Sequence, residues 1–339
     1  MRQFCGIRPA LLSILALTYL AGPQAAYSQS NGLNVSAKAP INMQIEPDGI
    51  IDLWPGIPPG GPTPLPHEEI VFRTNKFNLT DRAVLQVAKP NLSVFRPKRP
   101  NGAAMLIIPG GGYSWVVVDK EGYEGAKLFA EHGFTVYVLR YRLPHQGWAA
   151  GPDTPLQDAQ RAMRLIRSRA DGDGIDPSKI MVMGFSAGGH VAGSLAQKFD
   201  QSIAPPLDEL DTLSAKPDLA VLMYPVVTMA EPFRHPKSRE NMIGLSPSPA
   251  TIAAYSLETS VRADAPPLFI LHAADDPAVP VENALLLYEA ARRGKASVSL
   301  HVFEAGGHGF GMRGIEGTSL ALWPELVLAW ARDHGFPRP

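Results

Sequence analysis

From about residue 81 onward, apolar residues fall into short runs that alternate with longer stretches of helical spacing. RAVLQVAKPNLSVFRP reads as two short strands interrupted at Lys89-Pro90. AAMLIIP (103–109) is a continuous apolar run, the pattern of a strand covered on both faces. EGAKLFAEHG (124–133) predicts a helix closed by Gly133, and FTVYVLRY (134–141) a strand. Leu156, Ala159, Met163 and Ile166 share one helix face to about Ala170, behind a capping Thr154 and Pro155 at the first helical position. Strand–helix pairs follow at 179–185 with AGGHVAGSLAQKF, at 267–273 with VENALLLYEAARRG, and at 297–304 with SLALWPELVLAWARDHG; DLAVLMYP (218–225) is a further strand. This alternation predicts an α/β fold with a mostly parallel central sheet flanked by helices, one domain over 69–339.

Two stretches break the pattern. Residues 29–68 are rich in Pro, Gly and Asn and predict an extended leader rather than a packed element. Residues 226–265 carry Pro232, Pro236, Pro247 and Pro249 between two core strands and predict an irregular insertion, either a lid over the site or a plain surface loop. At the N-terminus, Arg2 and Arg8 precede the apolar run Ala10–Leu20, with Ala26 and Ser28 spaced for cleavage after Ser28. The run is too short for the roughly 20 residues a bilayer span needs, so it predicts a secretory signal peptide over 1–28 and a periplasmic or secreted chain. No stable membrane insertion is expected once the signal is removed.

Composition narrows the chemistry. Of 339 residues, 45% are hydrophobic and 19% charged, enough for a sizeable core. A net charge of −1 with no basic block gives no reason to expect a nucleic-acid partner. Cys5 is the only cysteine, so a mature chain has no disulfide, no cysteine nucleophile and no cysteine metal site. No metal or organic cofactor is expected, and the oligomeric state is open.

Gly184-Phe185-Ser186-Ala187-Gly188 ends a predicted strand and opens a predicted helix. A strained strand–turn–helix would expose the Ser186 hydroxyl above the sheet, with glycines at 184 and 188 because a Cβ there would strike the neighbouring strand or helix. A serine hydroxyl is a weak nucleophile and needs a base and an acid that orients that base. His308, in the glycine-rich AGGHGFG after the last strand, is the expected base. His190, one turn past Ser186, points into the fold and is expected to be structural. His272 and His301 sit in strand patterns, and His235 is among five histidines without a companion motif. HAADDPAVP supplies the acid, Asp276 in preference to Asp275 from the spacing to Val279-Pro280. Gly111 and Gly112, after the strand AAMLIIP, with the amide of Ala187, are the expected oxyanion hole. Tyr113, Trp115 and Trp148 are candidates to stack on a sugar, packing beneath the loop being equally open. Glu121, Arg140 and Arg142 read as a structural ion-pair network; Asp158, Arg161 and Arg164 read as a solvated helix face.

PGGGY (109–113), KEG (120–122), LRYRLP (139–144), PLQDAQRAMRLIRSRA (155–170), GIDPSKIMVMGFSAGGHVAGSLA (174–196), the DDPAVP segment (275–294) and HVFEAGGHGFG (301–311) together resemble the α/β-hydrolase superfamily. They are most similar to secreted carbohydrate esterases of the acetyl-xylan esterase and feruloyl-esterase-like group. Pro109 stands where lipase-like relatives often have a histidine, which weakens the link to lipases and leaves the amide role of Gly111 and Gly112 intact. The resemblance implies removal of acetyl or other short acyl groups from a small or oligosaccharide ester. A broad carboxylesterase or lipase for short acyl chains and a catalytically silent binding protein are the alternatives.

Overall fold

Eight strands form the main sheet of the computed structural model, which describes Met1 and residues 44–203 and 205–338. The expected signal peptide, its cleavage point, Cys5 and the leader up to residue 43 lie outside the described residues. The strands are β1 (Gly49–Asp52), β2 (Glu69–Phe72), β3 (Arg82–Leu85), β4 (Asn91–Phe95), β5 (Ala104–Ile108), β6 (Val116–Val117), β7 (Thr135–Arg140), β8 (Ile180–Phe185), β9 (Leu219–Met223), β10 (Leu268–Ala273) and β11 (Val298–Phe303). The helices are α1 (Glu124–Glu131), α2 (Thr154–Arg169), α3 (Ala187–Lys198), α4 (Pro236–Ile243), α5 (Pro249–Ala254), α6 (Glu282–Arg293) and α7 (Trp323–Asp333).

The main sheet runs β1-β4-β7-β5-β8-β9-β10-β11, and β2-β3-β6 make a small antiparallel sheet. From β7 to β11 every pairing is parallel; β1 and β4 close one edge antiparallel. Strands β5, β8, β9 and β10 are buried along their whole length, which is why their sequences are unbroken apolar runs. Parallel strands put their carboxyl ends on one edge, where β5, β8, β10 and β11 deliver the residues after 108, 185, 273 and 303. The described residues from 44 onward belong to one compact unit.

Four expectations need correcting. The stretch read as an unpacked leader supplies β1, which pairs with β4 over four residues, and buries Leu53 and Trp54. The reason lies in α2. Asp158 is fully buried rather than solvated, and its carboxylate accepts from the Arg142 guanidinium at 2.7 Å and from Trp54 Nε1 at 2.8 Å. Arg142 also donates to the Pro59 carbonyl at 2.9 Å, and buried Arg161 to the Leu53 carbonyl at 3.2 Å. The Pro- and Gly-rich stretch is therefore tied down by Asp158 and Arg161 of α2 and by Arg142, which follows β7. Thr154 does not cap α2: a 3₁₀ turn over Gly151–Asp153 leads into the helix, and the Thr154 hydroxyl has no partner among the described residues. The 226–265 segment is not irregular; it holds α4 and α5, entered through the caps His235 and Ser248 with a proline at the first helical position of each.

The Arg142–Asp158 pair has both side chains out of water. Removing one partner strands a buried charge, so Asp158→Ala is expected to cost about 3–5 kcal/mol. The check is the shift in the midpoint of urea unfolding at constant m-value.

Candidate active site

Strand β8 stops at Phe185 and α3 starts at Ala187, leaving Ser186 alone to turn the chain. Its backbone takes φ 53° and ψ −119°, a region that costs a residue with a Cβ about 1–3 kcal/mol. The close approach of strand and helix imposes that conformation. A Cβ on Gly184 would sit 2.2 Å from the Gly188 carbonyl oxygen, and one on Gly188 would sit 2.1 Å from the Ile108 carbonyl oxygen. Three backbone bonds clamp the turn: Ser186 N–H to Met223 at 3.0 Å, and Val226 and His190 N–H to the Ser186 carbonyl at 3.1 and 3.2 Å.

The structure brings three of the expected residues into one hydrogen-bonded chain. Ser186 Oγ lies 2.9 Å from His308 Nε2, and His308 Nδ1 lies 2.6 Å from Asp276 Oδ2. With Nδ1–H donated to the carboxylate, Nε2 is left to accept the Ser186 proton. Asp276 Oδ1 accepts from the amides of Ala278 and Val279, each at 2.9 Å. Burial works to raise the Asp276 pKa, but hydrogen bonds from His272 and His308, the His308 charge and the Val279 amide prevail and hold it well below the usual carboxylate range. Asp275 turns the other way: its Oδ1 accepts from Gly306 and Gly307 N–H, both at 2.8 Å, and so shapes the loop that carries His308.

Facing Ser186, the loop after β5 is divided by Glu121. Its buried carboxylate takes the Gly110 amide at 3.0 Å and the Tyr224 hydroxyl at 3.2 Å. Among the described residues no acceptor pairs with the amides of Gly111, Gly112 or Ala187, so these donors stand free beside the serine. Tyr224 also accepts from Gly311 N–H at 3.2 Å and meets the His308 ring edge-on at 5.2 Å. Glu121 thus ties the glycine loop to the histidine loop. It makes hydrogen bonds with neutral groups, not the ion pair its charge led us to expect; Arg142 does form one, and so does Arg140, with Glu68.

The aromatic candidates separate. Tyr113 is fully buried, and its hydroxyl meets His190 Nδ1 at 2.7 Å, so it offers no face to a sugar. Trp148 is buried under the Arg142 guanidinium, 4.7 Å from the ring centre. Trp115 is half-buried against Gly111, with Arg73 over its ring at 5.5 Å. His190 completes its pairing on the Tyr255 carbonyl at 2.7 Å; burial pushes it down to about 4 despite that bond.

Two neighbours of the site went unread in the sequence. Asn241 on α4 donates to the Gly112 carbonyl at 2.9 Å and to Ser114 Oγ at 2.8 Å. His235 caps the same helix, its ring beside Gly112. The only local signal was His235-Pro236, a helix start, which says nothing about what the helix lies against. Among the described residues no cluster of three or more His, Cys, Asp or Glu could hold a metal ion, and no helix is long and apolar enough to cross a membrane.

The family model described as BD-FAE matches residues 92–291, more than half of the chain. The chain belongs to the BD-FAE family. This BD-FAE chain is 38% identical over 205 residues to endo-1,4-beta-xylanase B of Butyrivibrio fibrisolvens, covering 60% of this chain and 32% of that protein. It is 33% identical over 228 residues to the acetylxylan esterase of Xylanibacter ruminicola, covering 66% and 44%. It therefore spans less than half the length of either relative. Among solved structures, the acetyl ester-xyloside bifunctional hydrolase of Caldicellulosiruptor lactoaceticus superposes with a TM-score of 0.69 at 29% identity, over 87% of this chain and all of that one. A thermophilic esterase of Thermogutta terrifontis with propionate bound gives 0.60 at 28% identity, over 81% and 97%. The fold is that of the α/β-hydrolases.

The two aspartates are separable by substitution. Asp276→Asn removes the group that fixes the His308 tautomer and is expected to lower kcat about 10⁴-fold. Asp275→Asn, which only weakens a loop contact, should cost far less. Steady-state rates on a small acetyl ester compare them, and equal losses would overturn the assignment of Asp276 alone as the orienting acid.

The buried His190 also sets a pH dependence. Its folded pKa of about 4 lies below the ordinary 6.5, so the unfolded chain binds the extra proton first. The stability it contributes is complete above about pH 6.5 and is lost as pH falls toward 4, about 3 kcal/mol in all. Unfolding free energies across that window should slope less in His190→Gln than in the wild type.

Proposed function

We propose that this chain is a serine ester hydrolase that removes acetyl or other short acyl groups from carbohydrate, such as xylan-derived saccharides, through an acyl-serine intermediate. The observation that carries the reading is the chain Ser186–His308–Asp276, at 2.9 and 2.6 Å, beside three unpaired amides. Ser186 Oγ attacks the ester carbonyl carbon while His308 Nε2 takes its proton and Asp276 stabilises the imidazolium. Negative charge collects on the carbonyl oxygen and is met by the N–H groups of Gly111, Gly112 and Ala187, each such donor commonly worth ~10²–10³ in rate. The carbon–oxygen bond to the alcohol breaks as His308 returns the proton to the leaving oxygen. Water, deprotonated by His308, then attacks the acyl-serine and releases the acid.

The carbohydrate part rests on the relatives named acetylxylan esterase and acetyl ester-xyloside hydrolase. Trp115, half-buried at the mouth of the glycine loop, is the aromatic side chain we assign to stacking on a sugar. A broad carboxylesterase for short acyl chains is the second reading, favoured by the likeness to the propionate-bound esterase. We also propose that the chain works outside the cytoplasm, on the strength of its apolar, small-residue N-terminus.

Acetate release from acetylated xylo-oligosaccharides, set against hydrolysis of longer-chain aryl esters, separates the two readings. Ser186→Ala is expected to lose about 10⁶-fold in kcat on either. A fluorophosphonate probe should label the wild type on Ser186 and leave the variant unlabelled. Near-wild-type turnover by the variant, or a label on another residue, overturns the assignment.

A further inference from the structure

The segment between β9 and β10 brings a side chain to the site that the mechanism above does not use. His235 Nδ1 accepts from the Ser238 amide at 3.2 Å and lies 2.7 Å from the Ser238 hydroxyl, itself buried. A ring nitrogen that accepts an amide proton carries none of its own, so the neutral ring holds its proton on Nε2. Among the described residues no acceptor pairs with that Nε2. Cε1, which joins the two nitrogens, lies 3.6 Å from where a Cβ on Gly112 would stand, so the ring borders the loop with the free amides. Burial, and after it the charge of His308, pushes His235 down to about 4. It is therefore a fixed neutral donor at neutral pH and does not compete with His308 as the base.

The place of this donor relative to the scissile bond decides what it serves. The carbonyl oxygen has the amides of Gly111, Gly112 and Ala187. The leaving oxygen must receive its proton from His308, so the alcohol lies on the His308 side. His235, whose ring borders Gly112, also lies near enough to His308 to feel its charge. We propose that His235 is a specificity-determining residue that donates its Nε2–H to a hydroxyl next to the scissile ester in the alcohol portion of the substrate. The proposal rests on the reading of Ser186 as the esterolytic nucleophile. A polyol ester presents such a hydroxyl on the carbon next to the one that bears the ester oxygen; a simple alkyl ester does not, and leaves the donor to water. The ring is only partly exposed, so water replaces the lost bond imperfectly.

Glycerol monoacetate and propyl acetate share the acyl group and the carbon count and differ in hydroxyls, so the ratio of their kcat/KM values isolates this contact. His235→Asn keeps a cap acceptor for Ser238 N–H but has no donor at the position of Nε2. It is expected to lower the ratio about ten-fold. His235→Gln, whose amide NH₂ extends to about the place of Nε2, should restore most of it, and thermal unfolding of both variants checks the fold. If the wild type hydrolyses both esters and the ratio does not move in His235→Asn, the proposal falls alone. If both rates fall in parallel, His235 has a structural role and the proposal falls as well. If the wild type hydrolyses neither ester, the nucleophile reading falls and takes the proposal with it.

Discussion

Strand β8 and helix α3 touch backbone to backbone, and most of the site is a consequence of that contact. With no side chain at Gly184, where β8 meets α3, and none at Gly188, where α3 meets the end of β5, the connecting residue is held at φ 53°. Ser186 is held there by bonds to the end of β9, so its hydroxyl is aimed by the sheet rather than by its own rotamer preferences. The first amide of α3, like that of any helix, has no intrahelical acceptor, and here it is the Ala187 N–H that follows the serine. The surrounding core supports the local strain at Ser186.

Three acidic side chains close to Ser186 have different tasks because their partners differ. Asp276 sits among donors, two amides and two histidines, and its charge is favoured strongly enough to override burial. Asp275, its neighbour in sequence, takes backbone amides on the far side of the turn and steers the loop that presents His308. Glu121 takes one glycine amide out of competition and braces Tyr224, which braces Gly311 in turn. With Gly110 N–H so engaged, the amides of Gly111 and Gly112 are the ones in that loop left without an acceptor among the described residues.

The alternation of strands and helices, the turn at Ser186 and the order of PGGGY, DDPAVP and GGHGFG were readable because each depends on residues close in sequence. Periodicity reports local burial, and the strand ends of a parallel sheet gather on one edge without further information. What escaped depends on distant partners. Trp54 and Pro59 pack because Asp158 and Arg142 bind them from the far side of about a hundred residues, and no local pattern distinguishes that segment from a loose leader. For the same reason Asp158 and Arg161 read as solvated when they are buried. Tyr113 sits in the expected glycine loop, yet its positive φ of 59° and its bond to His190 turn the ring inward. His235 and Asn241 lie in a proline-rich stretch whose helices are visible only once their packing is known.

The site therefore has two sides of different origin. Ser186 and Asp276 follow the ends of the fully buried strands β8 and β10, where any shift meets close-packed neighbours, whereas His308 follows the half-exposed edge strand β11. The other border of the glycine loop comes from α4, in the segment between β9 and β10, which is capped by His235 and anchored to the core through Asn283 and His190. These sides are not independent, because Asn241 on α4 bonds the Gly112 carbonyl and so ties the helix to the glycine loop. On the reading proposed above, a helix whose cap meets the leaving alcohol and whose Asn241 holds the glycine loop couples recognition of one end of the ester to stabilisation of the other, so a change in α4 that alters which alcohol fits must preserve the Asn241–Gly112 bond to leave that loop in place.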